Sequence, residues 1–346
     1  MYGSCTGRGQ GRARVRLRAG AAAAAGALLL LSACSDGSDT DEDAAGGAQQ
    51  PKSRAPYWVN PDGSAAEQAA AYRMDGRDAD AELIEKISRQ PAAEWIGIED
   101  PEGQARGFTE AAEKADREAL LVLYNVPHRD CGQYSKGGAA DGDAYRDWLG
   151  KAIDGIGERR TTVVLEPDAL PHVEDGCTPQ QFHEERYALL SEAVAKLKAL
   201  PNTKVYLDAG NPHWITDPGR MVEPLKRAGI DKADGFALNT SNYQTTDENT
   251  AYGKKLSGMV GGKPFVIDTS RNGNGPAPGK DDPEAWCNPP GRALGEPPTT
   301  RTGDDLVDAY LWIKRPGESD GACKGGPAAG QWWPKYALQL ARNAKS

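Results

Sequence analysis

Apolar residues along this chain follow two patterns: short uninterrupted runs, and longer stretches in which they recur every three or four positions. The uninterrupted runs are rich in valine, leucine and isoleucine, which is typical of strands buried on both faces of a parallel sheet. They predict seven strands, at Trp95–Ile98, Leu120–Val126, Thr162–Leu165, Lys204–Leu207, Gly235–Leu238, Pro264–Ile267 and Ala309–Ile313.

The periodic stretches predict helices between or around these strands, at Thr109–Ala119, Ala144–Ile156, Pro179–Leu200, Pro218–Ala228, Glu248–Met259 and Pro334–Ala344. Alternation of strands and helices indicates an α/β fold with a parallel sheet and helices packed outside it. No Gly-rich dinucleotide-binding pattern follows the first predicted strand. We therefore expect a seven-stranded barrel rather than an open doubly wound sheet.

Two segments interrupt the alternation. Residues 272–302 and 315–331 are rich in glycine and proline and poor in helix formers, and each follows a predicted strand. Long loops in compact domains are usually functional, so both are expected at the catalytic rim. Each contains one cysteine, Cys287 or Cys323, and a disulfide between them could join the loops.

The N-terminal region is expected to lie outside the folded domain. Residues 1–33 combine five arginines with a short apolar stretch, which is typical of a signal peptide. The ending Leu31-Ser-Ala-Cys34 resembles a bacterial lipobox with Cys34 as the lipidated residue, although an ordinary cleaved signal is the alternative. Residues 34–54 are small, polar and acidic and predict a flexible tether. The folded domain is then expected at 55–346.

Charge and cysteine content narrow the class of protein. Loss of the five N-terminal arginines takes the net charge from −9 to −14, which argues against a nucleic-acid partner and is compatible with a neutral polymer. Four cysteines remain beyond Cys34, and in an exported chain they favour two disulfides with three possible pairings. They are Cys131, Cys177, Cys287 and Cys323. No Cys-x-x-Cys spacing exists, so a zinc site is not expected.

Acidic residues follow several of the predicted strands, at Asp130, Glu166, Asp168, Asp208 and Asp268, with Asp320 in the loop after the last strand. Barrels of this type keep their catalytic groups at the carboxyl ends of the strands. Clustered carboxylates raise one another's pKa, as a general acid requires, and paired carboxylates are typical of glycosidic bond cleavage. The alternative for each acid is that it caps a helix or binds backbone amides.

From about Ala55 to Ala344 the chain resembles glycoside hydrolase family 6, the cellulases that invert at the anomeric carbon. The resemblance rests on an ordered series of motifs: Tyr57-Trp-Val-Asn-Pro61, Tyr124-Asn-Val-Pro-His-Arg-Asp-Cys131, Leu165-Glu-Pro-Asp168, Tyr206-Leu-Asp-Ala-Gly210, Asn239-Thr-Ser-Asn-Tyr243, Ile267-Asp-Thr-Ser-Arg-Asn-Gly-Asn-Gly275, Trp286-Cys-Asn-Pro289 and Leu311-Trp-Ile-Lys-Arg-Pro-Gly-Glu-Ser-Asp320. It implies a distorted, TIM-like seven-stranded (β/α) barrel with an open cleft at the C-terminal ends of the strands.

The resemblance also implies residue roles. Asp168 matches the general acid, and Asp130 matches the residue that raises the acid's pKa and helps to activate water. Asp320 matches the proposed base, acting through water, and Asp208 matches a supporting acid. The expected substrate-binding residues are Tyr124, Trp95, Trp214, Asn239, Trp286, Lys314 and Glu318, with core packing as the alternative for the tryptophans. The implied disulfides are Cys131–Cys177 and Cys287–Cys323.

Two positions depart from the family pattern. Lys136 stands where the family commonly has a serine that positions the catalytic water, although Ser135 precedes it. Asn211 stands where the family often has histidine.

The compact loops favour internal cleavage of β-1,4-glucan. An exo-acting cellobiohydrolase is the alternative among enzymes, and a sugar-binding lipoprotein without turnover is the alternative from another class. We expect no metal or organic cofactor, a monomer, and an extracellular location with membrane contact only through a lipid at Cys34.

Overall fold

Seven parallel strands form one curled sheet in the computed structural model, which describes residues 56–278 and 284–345. The strands are β1 (Glu94–Ile96), β2 (Ala119–Leu123), β3 (Thr161–Leu165), β4 (Thr203–Asp208), β5 (Gly235–Leu238), β6 (Phe265–Asp268) and β7 (Val307–Leu311), and they neighbour one another in chain order. The predicted distorted (β/α) barrel is confirmed. The predicted signal peptide, lipobox and tether lie outside the described residues.

Alternate residues of each strand face opposite sides of the sheet. One set fills the interior of the curl, including Leu120, Val122, Val164 and Val266. The other set, including Leu121, Val163, Leu207 and Phe236, packs under the helices. This period of two is that of a β-strand, and burial on both sides explains why the strands appear in the sequence as continuous apolar runs.

The two edges of the sheet, β1 and β7, approach each other without forming a regular ladder. The backbone N–H of Ala93 donates to Trp312 O at 3.0 Å, and Trp95 Nε1 donates to Ile313 O at 2.9 Å. We call this junction the seam. It accounts for the distortion of the barrel.

The described helices are α1 (Ser64–Met74), α2 (Asp78–Ser88), α3 (Pro101–Lys114), α4 (Gly142–Ile156), α5 (Pro171–Glu174), α6 (His183–Leu197), α7 (Val222–Arg227), α8 (Thr246–Met259) and α9 (Pro334–Asn343). Short 3-10 turns occur at Asp130–Gly132, Gln180–Phe182 and Pro218–Met221. Helices α1 and α2 were not predicted. Within residues 56–278 and 284–345, no helix is both long and apolar enough to cross a membrane.

The boundary of helix α3 corrects the sequence prediction of Thr109–Ala119. The helix begins earlier because Asp100 caps it, accepting from the N–H of Gly103 at 3.0 Å, and Pro101 occupies the first turn. It ends at Lys114, and Ala119 already belongs to β2.

Helices α2 and α9, from opposite ends of the domain, cover the seam together. Ile84 of α2 and Leu340 of α9 lie in one buried cluster with Trp312, which follows β7. Lys86 Nζ donates to Ala341 O at 3.3 Å at the same contact. The two ends of the domain therefore stabilise each other.

Candidate active site

The loop after β2 is shaped by the buried carboxylate of Glu166, which directly follows β3. The N–H groups of Asn125 and Val126 donate to Glu166 at 2.9–3.0 Å, which turns the chain out of the sheet three residues earlier than predicted. Burial raises the pKa of Glu166 to about 7, although these N–H groups oppose the shift. Glu166 thus follows the alternative proposed for strand-end acids, because it binds backbone amides.

Asp168 follows β3 on a residue with left-handed backbone, φ 69°. Its N–H donates to Asp208 Oδ2 at 3.0 Å, and Asp208 also accepts from Thr240 Oγ1 at 2.7 Å and from the N–H of Gly210 at 3.2 Å. Burial and then the charge of Asp208 raise the pKa of Asp168 to about 7. Burial also raises the pKa of Asp208. Asp168 is therefore a carboxyl group that can carry a proton near neutral pH.

Asp130 comes from the loop after β2 and approaches Asp168. One carboxyl oxygen of each lies within 4.8 Å of the other and of a ring nitrogen of His172. The N–H of Ser135 donates to Asp130 Oδ2 at 2.5 Å, but burial dominates and raises the pKa of Asp130.

Two connections hold the loops of Asp130 and Asp168 together. A Cys131–Cys177 disulfide, one of the two implied pairings, joins the two loops. The buried guanidinium of Arg186, on α6, donates to Pro127 O at 2.8 Å on one loop and to Ala169 O at 3.1 Å on the other. This arginine was not identified from the sequence.

Asp320 lies on the loop after β7 in a buried ion pair. Arg271 donates to it at 2.9 Å, as do Tyr243 Oη at 2.9 Å and the N–H of Asn288 at 3.0 Å. Burial by itself would raise the pKa of Asp320, but Arg271 and Lys314 hold it below its ordinary value. Asp320 is thus a firmly ionised carboxylate. The Cys287–Cys323 disulfide, the second implied pairing, fixes the loops around it.

Asp268 has a structural position. It accepts from the N–H groups of Ser241, Ser270 and Lys314 at 2.9–3.0 Å. These bonds fix the chain where β5, β6 and β7 end, so Asp268, like Glu166, follows the backbone-binding alternative.

Asp130, Asp168 and Asp320 open onto a cleft of about 1360 Å³ at the carboxyl ends of the strands, whereas Asp208 is buried and is not among the residues that line it. Among the residues that line it are Asp130, Asp168, Asp320, Tyr124, Trp95, Trp214, Trp286, Lys314 and Glu318. Trp95 and Tyr124 pack edge to face with ring centroids 5.5 Å apart. Lys314 Nζ donates to Ser319 O at 3.1 Å, and Glu318 pairs with Arg315 at 2.8 Å. The structure thus brings these nine predicted site residues together.

Asn239 is a correction to the predicted set. It is fully buried and is not among the residues that line the cleft. Its Nδ2 donates to Asp268 O at 2.8 Å and its Oδ1 accepts from the N–H of Gln244 at 3.0 Å. Because its side chain binds the backbone, Asn239 shapes the loop after β5 and is not exposed to the cleft.

The two departures from the family pattern have distinct environments. Asn211 is buried, and its Oδ1 accepts from the N–H groups of His213 and Trp214 at 3.1 Å, so it fixes the turn that presents Trp214. Lys136 is exposed and lines the cleft beside Ser135.

Three residues in or beneath the cleft were not assigned roles from the sequence: His172 and Tyr134 line it, and Arg271 is buried below it. Arg271 was noted only as part of a sequence motif. A cationic partner for Asp320 could have been expected, because a buried carboxylate requires one. His172, on α5, places a ring nitrogen within 4.8 Å of a carboxyl oxygen of Asp130 and of Asp168. Tyr134, on the Asp130 loop, lies 6.0 Å from Trp286 between ring centroids and donates to Glu284 Oε1 at 2.7 Å, which joins the loops after β2 and β6.

Known proteins share this architecture. Endoglucanase A of Cellulomonas fimi is 45% identical over 270 residues, which cover 77% of this chain and 57% of that protein's length. Endoglucanase 1 of Streptomyces halstedii is 43% identical over 295 residues, covering 82% of this chain and 88% of the relative.

Among solved structures, the endoglucanase Cel6 from Mycobacterium tuberculosis, in complex with methyl-cellobiosyl-4-deoxy-4-thio-beta-D-cellobioside, is 42% identical with a TM-score of 0.77. The match covers 84% of this chain and 97% of that structure. The model of glycosyl hydrolases family 6 matches residues 52–344. The chain therefore belongs to glycosyl hydrolases family 6.

Proposed function

We propose that this protein is an endo-1,4-β-glucanase that hydrolyses internal bonds of cellulose or related β-glucans with inversion at the anomeric carbon. The observation that carries the proposal is Asp168, a carboxyl group with a pKa raised to about 7 beside Asp130 in a tryptophan-lined cleft. The names of the bacterial relatives and the thio-oligosaccharide bound by the Mycobacterium tuberculosis enzyme support the choice of substrate.

Asp168 serves as the general acid. Its raised pKa keeps it protonated at weakly acidic pH, so it can donate that proton to the glycosidic oxygen as the leaving sugar departs. Trp95, Trp214 and Trp286 offer flat apolar faces to pyranose rings. Tyr124, held against Trp95, crowds the sugar at the cleavage point and favours a distorted ring.

Water attacks the opposite face of the sugar. Asp130 lies beside the acid and has a raised pKa. When Asp130 is ionised, its carboxylate orients this water. Asp320 receives the proton through intervening water. Because Arg271, Tyr243 and Asn288 donate to Asp320, it is an anion until that proton arrives, and in this state it also stabilises the positive charge that develops on the sugar.

Three assays test the proposal. Release of reducing ends from carboxymethyl cellulose by the wild type, and its loss in Asp168→Ala, would separate hydrolysis from sugar binding. Background rates in both proteins would instead support a sugar-binding protein without turnover. Rapid viscosity loss per bond cleaved distinguishes internal cleavage from a cellobiohydrolase. Proton NMR should show the α-anomer first, and an initial β-anomer would exclude inversion.

The pH dependence follows from the acid. Because the pKa of Asp168 is about 7, kcat/KM is expected to fall as pH rises above about 7, where the acid loses its proton. Initial rates on a soluble cello-oligosaccharide between pH 4 and 9 measure this alkaline limb of the pH profile. A rate that stays constant to pH 9 would contradict the assignment of Asp168.

Replacing Lys136 by serine is expected to preserve or raise turnover. The side chain is exposed, so little stability is at stake, and a serine hydroxyl at this position could hold the attacking water. Turnover on carboxymethyl cellulose is the measurement. Lys151→Ser, on the exposed face of α4, is the matched control. A clear fall in turnover for Lys136→Ser alone would count against this interpretation of the loop.

We also propose an extracellular protein anchored by a lipid at Cys34. The two disulfides are typical of proteins outside the reducing cytosol. Cys34→Ser is expected to move the protein from the membrane fraction to the medium, measured by immunoblotting of both fractions. Equal membrane retention of the variant would contradict lipidation.

A further inference from the structure

His172 occupies an unusual position for a histidine that none of the proposed steps uses. It lies on α5, four residues after Asp168, and only 6% of its surface is exposed. One of its ring nitrogens lies within 4.8 Å of a carboxyl oxygen of Asp130 and of Asp168. A buried imidazole at this distance from two acids interacts strongly with their ionisation.

A second carboxylate holds this imidazole in place. His172 Nδ1 lies 3.3 Å from Asp175 Oδ2, and the same oxygen accepts a hydrogen bond from Trp214 Nε1 at 2.9 Å. The rings of His172 and Trp214 pack edge to face, with centroids 4.9 Å apart. The contacts thus form a continuous chain from a cleft tryptophan through Asp175 and His172 to the carboxylates.

We propose that His172 is a positioning residue whose imidazolium, oriented by Asp175, supplies the counter-charge for Asp130 and Asp168 and links them to the sugar-binding face of Trp214. This inference rests on the proposed function, because it assigns His172 to the hydrolysis carried out by Asp168.

The charges around His172 define its effect. It faces Asp130 from the loop after β2, Asp168 and Asp175 from its own segment, and Asp208 from β4. Burial acts to lower the pKa of His172, but Asp175 and Asp168 outweigh it, so the pKa is raised. His172 is therefore cationic at weakly acidic pH. Its charge acts to lower the pKa values of Asp168 and Asp130.

Removing the His172 cation should shift the pH profile of activity in a definite direction. Without it, Asp168 keeps its proton to higher pH, and Asp130 needs higher pH to ionise. Both limbs of the pH profile of kcat/KM therefore move upward in His172→Gln, by about one pH unit for an opposite charge at this distance. A role confined to folding would lower activity without moving either limb.

The first experiment compares pH profiles on a soluble cello-oligosaccharide. His172→Gln is expected to shift both limbs upward, whereas His183→Gln, outside the cleft lining, should retain the wild-type profile. Asp175→Asn should raise KM, because Trp214 loses its charged acceptor, without the upward shift of His172→Gln, because it also removes a negative charge that raises the pKa of Asp168. An active His172→Gln variant with unshifted limbs would overturn the inference. An inactive wild type would instead overturn the proposed function.

The second experiment does not depend on the folding of a His172 variant. Interaction between two titrating groups is reciprocal, so loss of the Asp168 charge must lower the pKa of His172. NMR titration of the imidazoles in wild type and Asp168→Asn measures this shift, and the protein has four histidines to assign. A His172 pKa that is the same in both proteins would overturn the inference.

Discussion

Replacing Asp168 by asparagine is expected to lower kcat on cellulose by about 10²–10⁴-fold, the usual contribution of a general acid. Asparagine nearly preserves the shape of the side chain but cannot donate the proton that the leaving oxygen needs. The backbone N–H of residue 168 still donates to Asp208, so the fold should persist. Reducing-end release measures kcat, and thermal unfolding confirms that the variant is folded.

A change of leaving group sharpens this test. In an aryl cellobioside with a strongly acidic phenol, the phenolate can leave without being protonated. Asp168→Asn should therefore lose much less activity on this substrate than on cellulose. Asp154→Asn, an exposed aspartate on α4, serves as the control and should behave as wild type on both substrates. Equal losses on the two substrates would show that Asp168 is not the acid.

Replacing Arg271 by methionine is expected to destabilise the protein by about 3–5 kcal/mol at neutral pH, because it leaves the buried carboxylate of Asp320 without its partner. Chemical unfolding in urea measures the loss. The surface ion pair of Arg342 with Asp80 at 2.6 Å offers a matched control. Arg342→Met should cost no more than about 1 kcal/mol, as is usual for an exposed pair.

The destabilisation caused by Arg271→Met should depend on pH in a definite direction. In the wild type the pKa of Asp320 is lowered, so this group stabilises the fold above its unfolded pKa and ceases to do so as pH falls through the folded pKa. Without Arg271, burial raises that pKa and Asp320 can take a proton. The destabilisation of Arg271→Met should therefore shrink as pH falls from 7 toward 4, and a pH-independent loss would contradict the buried-pair account.

A double variant distinguishes the effect of the unpaired Asp320 charge from the effect of lost packing around Arg271. Arg271→Met combined with Asp320→Asn removes the unpaired charge and should recover part of the stability lost in Arg271→Met alone. No recovery would indicate that packing around Arg271, rather than its charge, stabilises the loop after β7.

The sequence predicts the sheet well because each strand is buried on both sides. The continuous runs at β2 and β3 need no tertiary information to be recognised. Helix α1 gives no such signal, because it is rich in alanine and buries only Ala69 and Tyr72. Glycines at 103 and 107 weaken the periodic pattern at the start of α3, which explains the misplaced boundary.

The site is harder to predict because strand-end acids look alike in sequence. Glu166 and Asp168 are two residues apart after the same strand, yet one binds the backbone of the β2 loop and the other opens onto the cleft. The difference arises from the turn between them, where both adopt positive φ. Likewise, the partnership of Arg271 with Asp320 spans 49 residues and depends on tertiary folding.

The seam has a consequence for the order in which the protein can be completed. Helices α1 and α2 are synthesised first, whereas α9, which packs against α2 beside Trp312, is synthesised last. The hydrophobic surface at the seam stays uncovered until α9 has been made, so the domain cannot fold completely before then. Such a delay suits a polypeptide that must cross a membrane unfolded, as the predicted signal peptide would require, because premature folding would block its passage.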